Sequence, residues 1–134
     1  MARLIVCILL FGILFCSWTA SPALSTLPGV PLGVGMWLDD EANNQIRTAI
    51  PFFLLGITLG FALPINVGWR RVTYYWIFMI LLAAAAELGQ LKLPERQPDI
   101  MDFVWGGVGA ALGLFPVVAI RMWWQQRSAL KRTV

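Results

Sequence analysis

Four apolar runs, residues 4–20, 48–67, 72–86 and 103–120, partition the chain and constrain its fold more than any other feature. A transmembrane helix needs about 20 predominantly apolar residues, and a run of about 17 is the shortest that crosses a bilayer. Hydrophobic residues make up 59% of the sequence and charged residues 13%, against roughly 45–50% and 25% in soluble globular domains. Lipid is the solvent such a composition suits. With 134 residues the chain falls in the commonest size range for a single domain, roughly 100–150 residues.

Each run carries its own boundaries. The first follows Arg3 and has no charge; Ser21-Pro22-Ala23 is a poor cleavage site because of Pro22, and the run is long for a signal-peptide core, so it reads as a retained span. Residues 26–38 are apolar but broken by Pro28, Gly29, Pro31, Gly33 and Gly35. They are too short and interrupted to cross as a helix, and suit an interfacial or re-entrant position. Asp39, Asp40 and Glu41 return the chain to water. The second span places Pro51 in its first turn, where a missing N–H costs little, and ends at Pro64 and Gly68. Arg70 and Arg71 fill a short turn, with Trp69, Tyr74, Tyr75 and Trp76 forming an interfacial belt around it. The fourth run ends in Arg121, Trp123, Trp124, Arg127, Lys131 and Arg132, a stop signal with an aromatic anchor. The expected fold is an all-α membrane protein, a single domain with spans at about 4–20, 48–67, 72–91 and 100–120.

With the N-terminus in the cytoplasm, the inner side holds seven basic residues, Arg3, Arg70, Arg71, Arg121, Arg127, Lys131 and Arg132, and the outer side three, Arg47, Lys92 and Arg96. The positive-inside rule then puts both termini in the cytoplasm of a multi-pass protein. The net charge of +3 is dispersed and forms no basic face with stacking aromatics, so nucleic acid is not an expected partner. Cys7 and Cys16 are about 13.5 Å apart along a helix, beyond disulfide reach. Histidine is absent, which removes the usual general base and transition-metal ligand. No cofactor is expected.

Most of the polarity near membrane depth lies between Glu87 and Gly113. The uncharged part of the third run has too few residues to cross, so its helix carries Glu87 and Gln90 in its last turn. Glu87 and Gln90 are three residues apart, as are Asp99 and Asp102, so each pair shares a helical face. A short linker between antiparallel helices brings Gln90 level with Asp99 and Glu87 level with Asp102. Two ionised carboxylates meeting there require neutralisation. Arg96 is the best-placed guanidinium for this and Lys92 a weaker choice; a shared proton or a cation held by Glu87, Asp99 and Asp102 are the alternatives. The structural alternative is that Asp99 and Asp102 complement the dipole of the fourth helix behind Pro98 while Arg96 and Glu87 clamp the hairpin. Below them, Gly106, Gly109 and Gly113 form a small-residue packing face, with residues 83–86, four alanines, as the expected complement. Trp105 reads as an interfacial anchor.

Glu87-x-x-Gln90, Arg96, Asp99-x-x-Asp102, Gly109 and Gly113, closing a series of four apolar runs, resembles the VanZ-like family. The motif residues cover the last third of the chain, and the remainder matches by span pattern. The chain departs from the family pattern at Gly106, where an Asn is usual. The resemblance implies a bacterial cytoplasmic-membrane protein of the cell envelope, in a family whose namesake is linked to resistance to the glycopeptide teicoplanin and whose relatives occur in surface-polysaccharide settings. It supplies no catalytic mechanism. The leading expectation is therefore non-enzymatic: Glu87, Gln90, Arg96, Asp99 and Asp102 bind a polar group of an envelope lipid, glycan or lipid-linked precursor, since carboxylates and amides pair well with hydroxyls. The alternatives are a small accessory subunit with protein partners in a larger membrane complex, and a carboxylate- or metal-dependent enzyme acting on a lipid headgroup.

Overall fold

A computed structural model describes residues 2–18, 23–90 and 100–130. The described residues are helical or in turns: α1 (Ala2–Trp18), α2 (Leu32–Asp39), α3 (Asn44–Ala62), α4 (Trp69–Gln90) and α5 (Ile100–Leu130), with 3-10 turns at Leu24–Thr26 and Glu41–Asn43. Three segments are long and apolar enough to cross a membrane, Gln45–Ala62, Trp69–Gly89 and Ile100–Ser128, and Leu4–Phe15 in α1 is a shorter apolar helix. This architecture is compatible with an all-α membrane protein. Large apolar side chains such as Phe11, Phe78, Leu81 and Leu112 lie on the outside of the bundle, as a lipid solvent allows.

Helix limits differ from the sequence-based spans in ways that local chemistry explains. The second span, expected over 48–67, is the helix Asn44–Ala62. Its start lies earlier, so Pro51 sits inside the helix rather than in its first turn. It stops at Leu63, which precedes Pro64 and is thereby steered to extended backbone, at ψ 148°. Arg70 and Arg71 belong to the first turn of α4 instead of a connecting turn, because the Gly68 carbonyl accepts from the amides of Arg71 and Val72 at 2.9 and 3.3 Å. The fourth helix does not stop near Ile120 but continues to Leu130.

Packing centres on α3 and α5, which run parallel. Ala49 lies against Gly109, Phe53 against Gly113 and Gly60 against Val117, in ascending order along both helices. Each helix carries a Gly-x-x-x-Gly pair, Gly56/Gly60 on α3 and Gly109/Gly113 on α5, which permits backbone contact. A Cβ on Gly109 or Gly113 would overlap the carbonyl oxygen of Ala49 or Phe53, and one on Gly56 would lie 2.6 Å from the Ala110 oxygen. The alanine run expected to receive the α5 glycines meets only Gly106, through Ala83. The rest of that face packs on α3, with Phe52, Leu55, Ala110, Leu114 and Val118 buried along the contact.

α4 closes the other side of α5 in the antiparallel sense, with Trp69 stacked on Phe115 and Ala83 near Gly106. The Trp76 indole N–H donates to the Gly107 carbonyl at 3.0 Å. Arg121 of α5 reaches across to the end of α3, donating to the carbonyls of Gly60 and Leu63, the latter at 3.1 Å. Those carbonyls have no partner within their own helix, and a cation there also complements the α3 dipole.

The 26–38 segment lies between the 3-10 turn Leu24–Thr26 and Asp39, and most of its second half forms the eight-residue helix α2, which packs on that turn. Gly35 is buried where a Cβ would collide with the Ser25 backbone. Asp39 does not simply return the chain to water: its carboxylate accepts from the Leu24 amide at 2.8 Å, the Ser25 amide at 3.0 Å and the Ser25 hydroxyl at 2.8 Å.

Candidate functional site

The α4–α5 register follows from the small residues between the two helices. A Cβ on Gly106 would lie 3.2 Å from the Ala83 methyl, and one on Gly107 would lie 3.1 Å from the Ile80 side chain. Adding one turn to α4 and removing one from α5 leads from Ala83 and Gly106 to Glu87 and Asp102, which therefore stand at the same level. Both are half-buried, and both take part in polar or electrostatic interactions. Asp102 lies in the first turn of α5, where the helix dipole favours a negative charge. Glu87 lies in the last turn of α4, where the dipole disfavours one, so the two carboxylates are held in unequal fields at one depth.

The remaining candidates divide cleanly. Gln90 is the final residue of α4, and its side chain lies outside the described residues. Lys92, Arg96 and Asp99 also lie outside them. The cation trio of Glu87, Asp99 and Asp102 is thus described at two of its three members; among the described residues, no three Cys, Asp or Glu side chains gather in a group suited to a metal ion. Gly106, Gly109 and Gly113 are buried packing residues. Trp105 is exposed.

Two features beside the carboxylates were not anticipated. An apolar groove of about 370 Å³ runs between α4 and α5, lined chiefly by Trp76, Ile80, Phe103, Val104, Gly107 and Leu112. Trp76 and Ile80 lie on the α4 stripe that continues through Ala83 to Glu87 at spacings of four, three and four, so the groove leads toward the carboxylate level. The second feature is Trp18 at the end of α1, whose indole packs against Gly89, where a Cβ would overlap it. Gly89 is about 200° around α4 from Glu87, so Trp18 braces this end of α4 from behind. The four-residue stripe of the groove was readable in the sequence; the pairing of Trp18 with Gly89 had no local signal.

No family model, curated protein or solved structure matches this chain.

Proposed function

We propose that this chain is a four-span membrane protein of the VanZ-like kind, with both termini in the cytoplasm, whose α4–α5 hairpin binds an amphiphilic envelope lipid or lipid-linked glycan. Glu87 and Asp102 accept from hydroxyls of its head group, with Gln90, Arg96 and Asp99 contributing from the hairpin tip, and the groove beside Trp76 and Ile80 takes its apolar chain.

The observation that carries this reading is the shared level of two half-buried carboxylates, at one end of a helix pair whose middle, residues 72–86 and 103–120, carries no charge. Ionisable groups at such positions are costly and mark sites more often than they mark structure. The groove adds a direction. A free sugar has no use for an apolar trough next to its polar contacts, whereas a lipid fills both. The basic residues favour the orientation, since Arg70, Arg71, Arg121 and Arg127 stand at the opposite end of the bundle from Glu87 and Asp102. α1 counts as the fourth span. It has 17 residues, about 25 Å of helix, and Arg3 precedes its apolar stretch.

The test is capture of the full chain in nanodiscs formed from total bacterial envelope lipids, followed by mass spectrometry of what remains bound. Enrichment of a polyhydroxylated or glycosylated lipid over its bulk fraction, lost in Asp102→Asn, supports the proposal. A bound-lipid profile equal to the bulk composition contradicts it.

A further inference from the structure

At the far end of α5 from Asp102 lies a second concave feature, which the carboxylate site does not use. Trp123, Trp124, Arg127 and Ser128 line an open groove of about 280 Å³. The Arg127 guanidinium lies over the Trp123 ring, 3.9 Å from its centroid, a cation–π contact that holds a long side chain in one place. The Ser128 hydroxyl donates to the Trp124 carbonyl at 2.9 Å, and its oxygen lies beside the same groove. Trp123 and Trp124 are 48% and 66% exposed.

The charge around this groove is of one sign. No Asp or Glu occurs after Asp102, and none occurs between Glu41 and Glu87. The elements meeting at this end therefore present Arg70 and Arg71 at the start of α4 and Arg121 and Arg127 on α5, with no carboxylate side chain facing them from α3, α4 or α5. Arg121 is committed to the carbonyls of Gly60 and Leu63, and Arg70 to the Tyr74 hydroxyl at 2.9 Å. Arg127 has its guanidinium edge available above an aromatic floor.

Depth identifies the occupant. From Ile100 to Arg121 the helix rises about 31 Å, the thickness of the hydrocarbon core. Residues 123–128 then occupy the headgroup layer, where tryptophan rings sit with one edge among acyl carbons. An occupant at that depth must be both apolar and anionic.

We infer that the Trp123–Trp124–Arg127–Ser128 groove is a binding site for an anionic phospholipid, with its phosphate on Arg127, its glycerol hydrogen-bonding region beside Ser128 and its upper acyl carbons on the two indoles. The inference rests on the membrane-spanning reading but not on the carboxylate site. It is tested on the full chain, first shown to stay in the membrane fraction after alkaline extraction, by native mass spectrometry in detergent with equimolar phosphatidylglycerol and phosphatidylcholine. Wild type retains phosphatidylglycerol in preference. Arg127→Gln reduces that preference about fivefold, the factor that one basic residue near an anionic surface supplies, while Arg127→Lys keeps part of it. Arg71→Gln, an exposed charge at the same end, leaves it intact. Equal retention of the two lipids by wild type, or equal losses in Arg71→Gln and Arg127→Gln, would overturn the site and reduce it to diffuse attraction. The groove lies at the far end of α5 from Asp102, so that failure of the carboxylate reading leaves this one standing.

Discussion

Ala83 and Gly106 set the register of the α4–α5 pair: the alanine methyl stands 3.2 Å from where a Cβ on Gly106 would project, and one turn further the same register makes Glu87 and Asp102 neighbours in depth. A side chain at position 106 has to displace Ala83 or the Phe52 ring. Gly106→Leu should cost about 1–3 kcal/mol through overpacking, read as a lower thermal midpoint in detergent, and should also weaken lipid capture by shifting Glu87 relative to Asp102. Gly106→Ala needs only a few tenths of an ångström of adjustment and should retain both properties.

The α3–α5 contact should be less forgiving, because its glycines face backbone. Gly109→Val and Gly113→Val confront the carbonyls of Ala49 and Phe53, which cannot rotate away as a side chain can. Each should lower the thermal midpoint by more than Gly106→Leu does. Gly12→Val, at a position where a Cβ meets nothing within 4 Å, should change it little. Equal effects at positions 12 and 113 would refute the parallel glycine interface.

The general architecture was legible in the apolar runs, and so was the Glu87–Asp102 level, because a three-residue spacing on each side of a short linker leaves little freedom. The partner of the α5 glycines was not. Helices adjacent in sequence are the natural first pairing, and the tight contact instead joins α5 to α3, skipping α4. Its signal was present in Gly56 and Gly60, whose spacing matches Gly109 and Gly113. The extension of α5 past Ile120 was obscured by reading Arg121 as a stop, when its side chain turns back to cap α3. The Asp39 contacts join residues 14 and 15 positions apart, a tertiary relation with no pattern in the local sequence.

Arg121→Gln should expose that cap. Without the guanidinium, the carbonyls of Gly60 and Leu63 lose a charged donor, at a cost of about 1–3 kcal/mol. Hydrogen exchange should accelerate in the last turn of α3 and the following 63–68 turn, leaving the middle of α4 unchanged. Arg121→Lys, with a point charge in place of a fork, should recover only part of the protection.

Asp39 gives a pH dependence of known sign. The Ser25 amide and hydroxyl, the Leu24 amide and the charge of Arg47 hold its carboxyl below the ordinary 3.8, against a smaller opposing effect of desolvation. A depressed folded-state pKa stabilises the fold above the unfolded value, and that contribution disappears as pH falls through the folded one. Exchange protection of Leu24 and Ser25 should thus be flat from neutral pH down to about 4 and be lost only in stronger acid. Asp39→Asn should reduce it across that range and converge with the wild type in strong acid.

The central claim is that Glu87 and Asp102 bind a ligand rather than merely clamp the hairpin. The most direct measurement pairs lipid retention with thermal stability in Glu87→Gln and Asp102→Asn. Each variant is expected to lose the captured lipid while remaining folded, with a cooperative thermal transition. A lowered midpoint with lipid retention unchanged in both variants would contradict it.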